Sequence, residues 1–181
     1  MSFSSTSSGA SKGTAWKGQV YFDPEADGNM PIQMISDSEL QSKLMNLIDA
    51  DEKILNVVLC KTPLNESQTT NALLCHVYVY FETNKFWWSI EKNSEGITIQ
   101  RAKNLDSVKN RYRQTLRCKT SYWEPEEIIA DEGRGTMKDL VEFLWRKDFL
   151  NKTYNGLFSN CKHFAKRVFD KVSAASNRIK L

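Results

Sequence analysis

The chain of 181 residues has no apolar run approaching the roughly 18 residues that cross a bilayer, so a membrane-spanning helix is not expected. Histidine is scarce: only His76 and His163 occur. The four cysteines, Cys60, Cys75, Cys118 and Cys161, include no CxxC pair. With so few ligands at unsuitable spacings, no metal site is expected and no cofactor is implied. The opening stretch MSFSSTSSGASKGTAW lacks the basic-then-apolar order of a secretory signal, and Met-Ser stands where a myristoylated terminus needs Met-Gly. A reducing, cytoplasmic setting with free thiols is the expectation. The net charge of +3 is too small to mark a nucleic-acid binder, and no recognised binding motif accompanies the basic residues.

What is present is enough apolar matter for a single core. Residues 1–15 are rich in Ser and Gly and read as a flexible tail, which leaves 16–181 as one domain. WKGQVYFD reads as a short strand. SDSELQSKLMNLIDADEK opens with a Ser36-x-x-Glu39 capping box and sets Leu40, Leu44, Leu47 and Ile48 at helical spacing. KILNVVLCKT reads as a strand. ALLCHVYVYF, FWWSIEK and ITIQRA, separated by ETNK and NSEG, read as three antiparallel strands in succession. A helix is expected over Leu105–Arg117, and a loop with a short helical piece over EPEEIIADEGRG. Thr136 is placed to cap MKDLVEFLWRKDFL, with Leu140, Phe143 and Leu144 on one face. The fold class expected is α+β, an antiparallel sheet with helices packed around it.

The last helix begins at or just before Cys161. Cys161, Ala165, Val168 and Val172 fall on one stripe with Phe164 and Phe169 beside them, while Lys162, Lys166, Arg167 and Lys171 lie largely elsewhere. Asn160 and Ser159 are good N-cap residues. A first-turn cysteine has two readings. As a small core hydrophobe it is commonplace. As a nucleophile it profits from the helix dipole, which favours a thiolate, and from first-turn amides that can hold an oxyanion. A nucleophile needs a base. His163 is two residues on and points about 200° away around the helix, so it is placed to cap or pack against the neighbouring loop. His76 opens the strand HVYVYF, sharing a face with Tyr78 and Tyr80 while Val77, Val79 and Phe81 take the other.

A strand histidine followed roughly 80 residues later by Tyr154-Asn155-x-Leu157-x-x-Asn160-Cys161-x-His163-Phe164 resembles the circularly permuted papain-like superfamily, known by its H-box and NC motif. It is most similar to lecithin:retinol acyltransferase-like proteins, with PPPDE-type isopeptidases next. The resemblance covers about residues 70–173. It implies a permuted papain-like fold with the catalytic cysteine at a helix N-terminus. By position, Cys161 is then the nucleophile that carries an acyl group as a thioester, and His76 is the general base. Asn160 and the Cys161 backbone amide stand at the oxyanion site and helix cap. The family usually has a polar residue, often histidine, on the strand after the H-box; here Ser89 aligns nearest, and Glu91 lies two residues on along the same face. A carboxylate orients and stabilises an imidazolium better than a hydroxyl does. The family's GD stretch before the histidine is replaced by TTNALLC. The implied substrate is an acyl lipid, or alternatively a peptide or isopeptide. A catalytically inactive interaction module is the reading from another class.

Two further features carry expectations. Lys109, Arg113 and Arg117 recur at four-residue spacing in a basic segment, one stripe if that segment is helical. Such a stripe suits transient contact with anionic headgroups or an acidic partner, although a solvated face balanced by nearby acids is the preferred reading. Trp87 and Trp88 are adjacent on a strand, so one belongs to the core and the other to the opposite face.

Overall fold

The computed structural model describes residues 19–35, 37–49, 51–63, 75–117, 124–147, 149, 154 and 160–175. The expectations placed on the N-terminal tail, on the Ser36 cap and on Cys118 lie outside the described residues.

Alternation of apolar and polar residues builds the strands, and the sheet they form has seven strands where the sequence suggests five. In chain order these are β1 (Val20–Asp23), β2 (Gln33–Ile35), β3 (Ile54–Pro63), β4 (Cys75–Thr83), β5 (Trp87–Lys92), β6 (Ile97–Ala102) and β9 (Glu126–Glu132), lying in the order β2-β1-β6-β5-β4-β3-β9. The expected succession of antiparallel strands is found in β4, β5 and β6, with Phe81 opposite Trp88 and Ile90 opposite Ile99. The sheet as a whole is mixed, not antiparallel as expected: β1 runs parallel to β6, pairing Val20 with Ile97 and Phe22 with Ile99. Such a pairing joins segments nearly 80 residues apart, so no local turn signal announces it.

The segment EPEEIIADEGRG is also corrected. Instead of a loop with a helical piece, it contributes edge strand β9, antiparallel to β3 with Val58 opposite Ala130 and Val57 opposite Asp131. Glu126, Glu127 and Glu132 are exposed, and the backbone is satisfied by the β3 ladder, so hydrogen bonding to a neighbour outweighs weak local preference. After β9 the chain passes Gly133, where an added Cβ would come within 2.7 Å of the Ile54 carbonyl group. Only glycine fits that approach.

Three helices cover one face of the sheet. α1 (Asp37–Leu47) brings Leu44, with Ile48 just beyond its end. α3 (Met137–Arg146) begins at the Thr136 cap, whose hydroxyl accepts from the Asp139 amide while the Asp139 carboxylate accepts from the Thr136 amide. It buries Met137, Leu140, Val141 and Leu144, with Phe143 packed at the edge of the core. α4 (Cys161–Val172) buries Cys161, Phe164, Ala165, Val168, Phe169 and Val172, the stripe read from the sequence. Together these meet Val57, Leu59, Val77, Val79, Phe81, Trp88 and Ile90 in one apolar core. Among the described residues no helix is long and apolar enough to cross a membrane.

The opposite face has thinner cover. The basic segment expected as one helix breaks after five residues: α2 (Leu105–Lys109) is followed by a hairpin of β7 (Arg111–Tyr112) and β8 (Thr115–Leu116). The turn residues Arg113 and Gln114 have φ of 47° and 65°, the left-handed pair required by a tight two-residue hairpin. Nothing in the residue types signals this, since Asn-Gly is the usual occupant. Trp88 belongs to the main core and Trp87 to this second face, beside Tyr80.

Candidate active site

β4 starts where α4 starts. Asn160 caps α4, its Oδ1 accepting the His163 amide at 3.1 Å, so Cys161 is held in the first turn with the helix dipole behind it. The Cys161 Sγ lies 3.8 Å from the Cys75 carbonyl oxygen, at the opening residue of β4. His76 is the next residue, and it lies close enough to Cys161 for each side chain to shift the ionisation of the other. The strand histidine and the helix cysteine therefore meet at the end of the sheet, although 85 positions separate them.

Glu91 completes a line. Its Oε2 accepts from His76 Nε2–H at 2.5 Å, on a carboxylate that is 1% exposed. The β4–β5 register puts Tyr80 opposite Ser89; continued, it sets Glu91 beside Tyr78 and diagonal to His76. With Nε2 turned to Glu91, Nδ1 is the nitrogen left for the thiol. Ser89 shares the face but points toward Gln100, 3.5 Å from its side-chain oxygen. Of the two residues left open by the sequence, Glu91 is the one that touches His76. His163 remains outside this line, exposed, with Nδ1 2.9 Å from Asn160 Oδ1.

The charges in this line sustain one another. Burial opposes ionisation of Cys161, but the adjacent imidazole, the Val77 backbone amide and the Tyr154 hydroxyl outweigh it and hold the thiol below its ordinary value. Burial also opposes protonation of His76, yet the cysteine sulfur and the Glu91 carboxylate push the imidazole up to about 9. For Glu91, burial is overcome by Arg117 and His76, leaving its carboxyl below the usual range. Both shifts run toward a thiolate beside an imidazolium.

Two residues of this neighbourhood were not recognised from sequence as parts of it. Tyr154, in the motif but with no role attached, lies against Cys161, and burial together with that sulfur pushes its phenol up to about 12. Arg117, placed by its spacing on a surface stripe, is 4% exposed. Its Nη2 is 2.6 Å from Glu91 Oε1, its Nη1 donates to the Lys109 carbonyl at 2.8 Å, and its guanidinium lies 3.8 Å above the Tyr78 ring. The expected stripe of Lys109, Arg113 and Arg117 is therefore not formed. Lys109 pairs with Glu127, and Arg113, at the hairpin turn, pairs with Glu95 and stacks on Tyr21. The helix that would have aligned the three ends at Lys109 because the chain turns back as a hairpin.

Beside His76 and Glu91 a half-open cavity of about 250 Å³ is lined by Thr62, Pro63, Tyr112, Leu116 and Arg117, with more apolar than polar wall. No protein-family model, curated protein or solved structure matches the chain.

Proposed function

We propose that the protein is a cysteine-dependent acyl hydrolase or acyltransferase of circularly permuted papain-like design, acting through a Cys161 thioester with His76 as base. The observation that carries this reading is the placement of Cys161, Cys75, His76 and Glu91: a thiol in the first turn of a helix lies against the opening of the strand that carries His76, whose imidazole is anchored by a buried carboxylate. In that sequence of steps the Cys161 thiolate attacks the acyl carbonyl carbon, and the displaced π electrons form an oxyanion. The Cys161 backbone amide and the α4 N-terminus stabilise that charge. Collapse of the intermediate expels the leaving alkoxide or amine, which takes its proton from the His76 imidazolium. Neutral His76 then accepts a proton from water or another acceptor as it attacks the thioester, and the sulfur leaves as thiolate. Glu91 keeps the imidazole in the tautomer and orientation both steps require. An acyl lipid is the favoured substrate class, supported by the apolar wall of the cavity beside His76.

The pH dependence of iodoacetamide labelling at Cys161 tests the chemistry before any substrate is known. The expected midpoint lies well below the roughly 8.5 of free cysteine, and it rises in His76→Ala. Cys161→Ser then abolishes turnover of acyl-ester probes. A slow, ordinary thiol indifferent to His76 would overturn the enzyme reading and leave an interaction module on this fold. Reaction with ubiquitin-like probes but not with acyl lipids would retain the mechanism and replace the substrate class.

A further inference from the structure

Arg117 reaches the site from outside the strands that carry it. It follows β8 directly, its backbone N–H donates to the Asn110 carbonyl at 2.9 Å, and its guanidinium turns inward beneath the hairpin. There one face of the fork holds the last carbonyls of α2, those of Val108 and Lys109, while Nη2 holds Glu91 Oε1. Glu91 is consequently gripped at both oxygens, Oε1 by Arg117 and Oε2 by His76. A buried carboxylate gripped at one oxygen only is free to rotate; gripped at both, it presents Oε2 to the imidazole in one geometry.

We propose that Arg117 is a positioning residue of this site, setting the charge and orientation of Glu91 and, through Glu91 and His76, the nucleophilicity of Cys161. The proposal rests on the acyl-transfer reading above and assigns the α2–hairpin unit a part in it. The charge count gives the direction. Thiolate, imidazolium, carboxylate and guanidinium sum to zero in a region shielded from water. Without Arg117 the remaining three carry one net negative charge, and burial drives the uptake of a proton. On sulfur, that proton removes the nucleophile directly. On Glu91, it removes the charge that stabilises the imidazolium, and the thiolate is weakened in turn. Either outcome raises the pH at which the thiolate forms. Arg117 touches no reacting atom, but it also lines the cavity beside His76, so the ionisation profile of the thiol, read without substrate, is the measurement that isolates its positioning role.

The test compares wild-type protein with Arg117→Met, Arg117→Lys and Arg117→Ala, each checked for a cooperative thermal transition, by the pH profile of iodoacetamide labelling at Cys161. Arg117→Met is expected to raise the labelling midpoint by at least one pH unit, which lowers the labelling rate about tenfold at pH values below both midpoints. The rate at alkaline pH should recover to the wild-type plateau, which a collapsed site would not do. Arg117→Lys keeps the charge but loses the fork, so an intermediate midpoint is expected. Methylguanidinium added to Arg117→Ala should move the profile back toward wild type. Where an acyl-ester probe turns over, the pH profile of kcat should shift to higher pH together with the labelling midpoint. A folded Arg117→Met with the wild-type profile overturns the proposal, as does a wild-type profile in Arg117→Lys should the methionine variant fail to fold. An ordinary thiol in the wild-type protein would instead sink the acyl-transfer reading itself, so the two failures are told apart.

Discussion

Val57, Leu59, Val77, Val79, Phe81 and Ile90 point to one side of the sheet, while their chain neighbours Val58, Cys60, His76, Tyr78, Tyr80 and Glu91 point to the other. The first side is closed by α1, α3 and α4 and is mostly apolar; Glu52, Thr83 and Lys92, buried there, are hydrogen-bonded. The second is closed by the five residues of α2 and a short hairpin, and it buries Ser89, Glu91, Thr98, Gln100 and Arg117. Among the described residues, the buried side-chain atoms without a hydrogen-bond partner belong to Asp23, Thr62, Thr98, Gln100 and Arg117. All five residues lie on the second side. Apolar packing stabilises without demanding exact partners, whereas each buried polar group must be matched or it costs stability. One side therefore holds the molecule together, and the other spends some of that stability on a charged site.

The sharpest way to break this comparison is to damage each side and ask what changes. Trp88→Ala removes the largest fully buried side chain from the apolar side and takes a hydrogen bond from Glu52, whose Oε1 accepts from Trp88 Nε1 at 2.7 Å. A loss of about 3–5 kcal/mol is expected in urea unfolding. Below its lowered melting temperature the variant should keep the wild-type labelling profile at Cys161. A shifted profile would mean that the two sides are not separable.

On the charged side, Glu91→Gln should cost about 2–3 kcal/mol near neutral pH, because Arg117 and His76 lose a common anion. It should also change the response to acid. Glu91 is held below its ordinary value of 4.5 in the folded protein, so the unfolded chain binds the proton first. Its contribution is then present above about pH 4.5 and is lost as pH falls through the folded value. Urea midpoints measured from pH 7 down to pH 3 should fall less steeply in Glu91→Gln than in wild type; parallel curves would show that Glu91 is not the group responsible.

The smallest effect is expected at the hairpin turn. Gln114 has φ of 65° and is exposed, a backbone state glycine adopts without a Cβ penalty. Gln114→Gly should stabilise by about 0.5 kcal/mol, the relief of a left-handed penalty of about 1–2 kcal/mol less the freedom that glycine adds to the unfolded chain. A raised melting temperature with an unchanged labelling profile would mark the hairpin as secured by its stem, where Arg117 lies, rather than by its tip.

How much of this was legible depends on the range of the interactions involved. The helix cap at Thr136, the cap at Asn160 and the buried stripe of α4 follow from residues within a few positions of one another, and they appear as read. The alternation that puts His76 with Tyr78 and separates Trp87 from Trp88 is equally local. Misreadings fall where local preference is weak and a distant partner decides. Glu126–Glu132 has a mixed, acidic pattern and becomes a strand because β3 offers a free edge. The basic segment has helix-compatible residues throughout, yet Arg117 is drawn under the hairpin by a carboxylate 26 positions away.

The sequence by itself determined which residues could share a face, where helices start, and that a cysteine at a helix N-terminus would have one strand histidine available to it. These follow from the 3.6- and 2-residue periods and from capping chemistry, all properties of neighbouring residues. Only the tertiary structure decided that Glu91 rather than Ser89 meets His76, that β1 joins β6 in parallel, and that Arg117 is buried rather than displayed. Those outcomes depend on sheet register and on the need of a buried charge for an opposite one, neither of which is encoded at any single position.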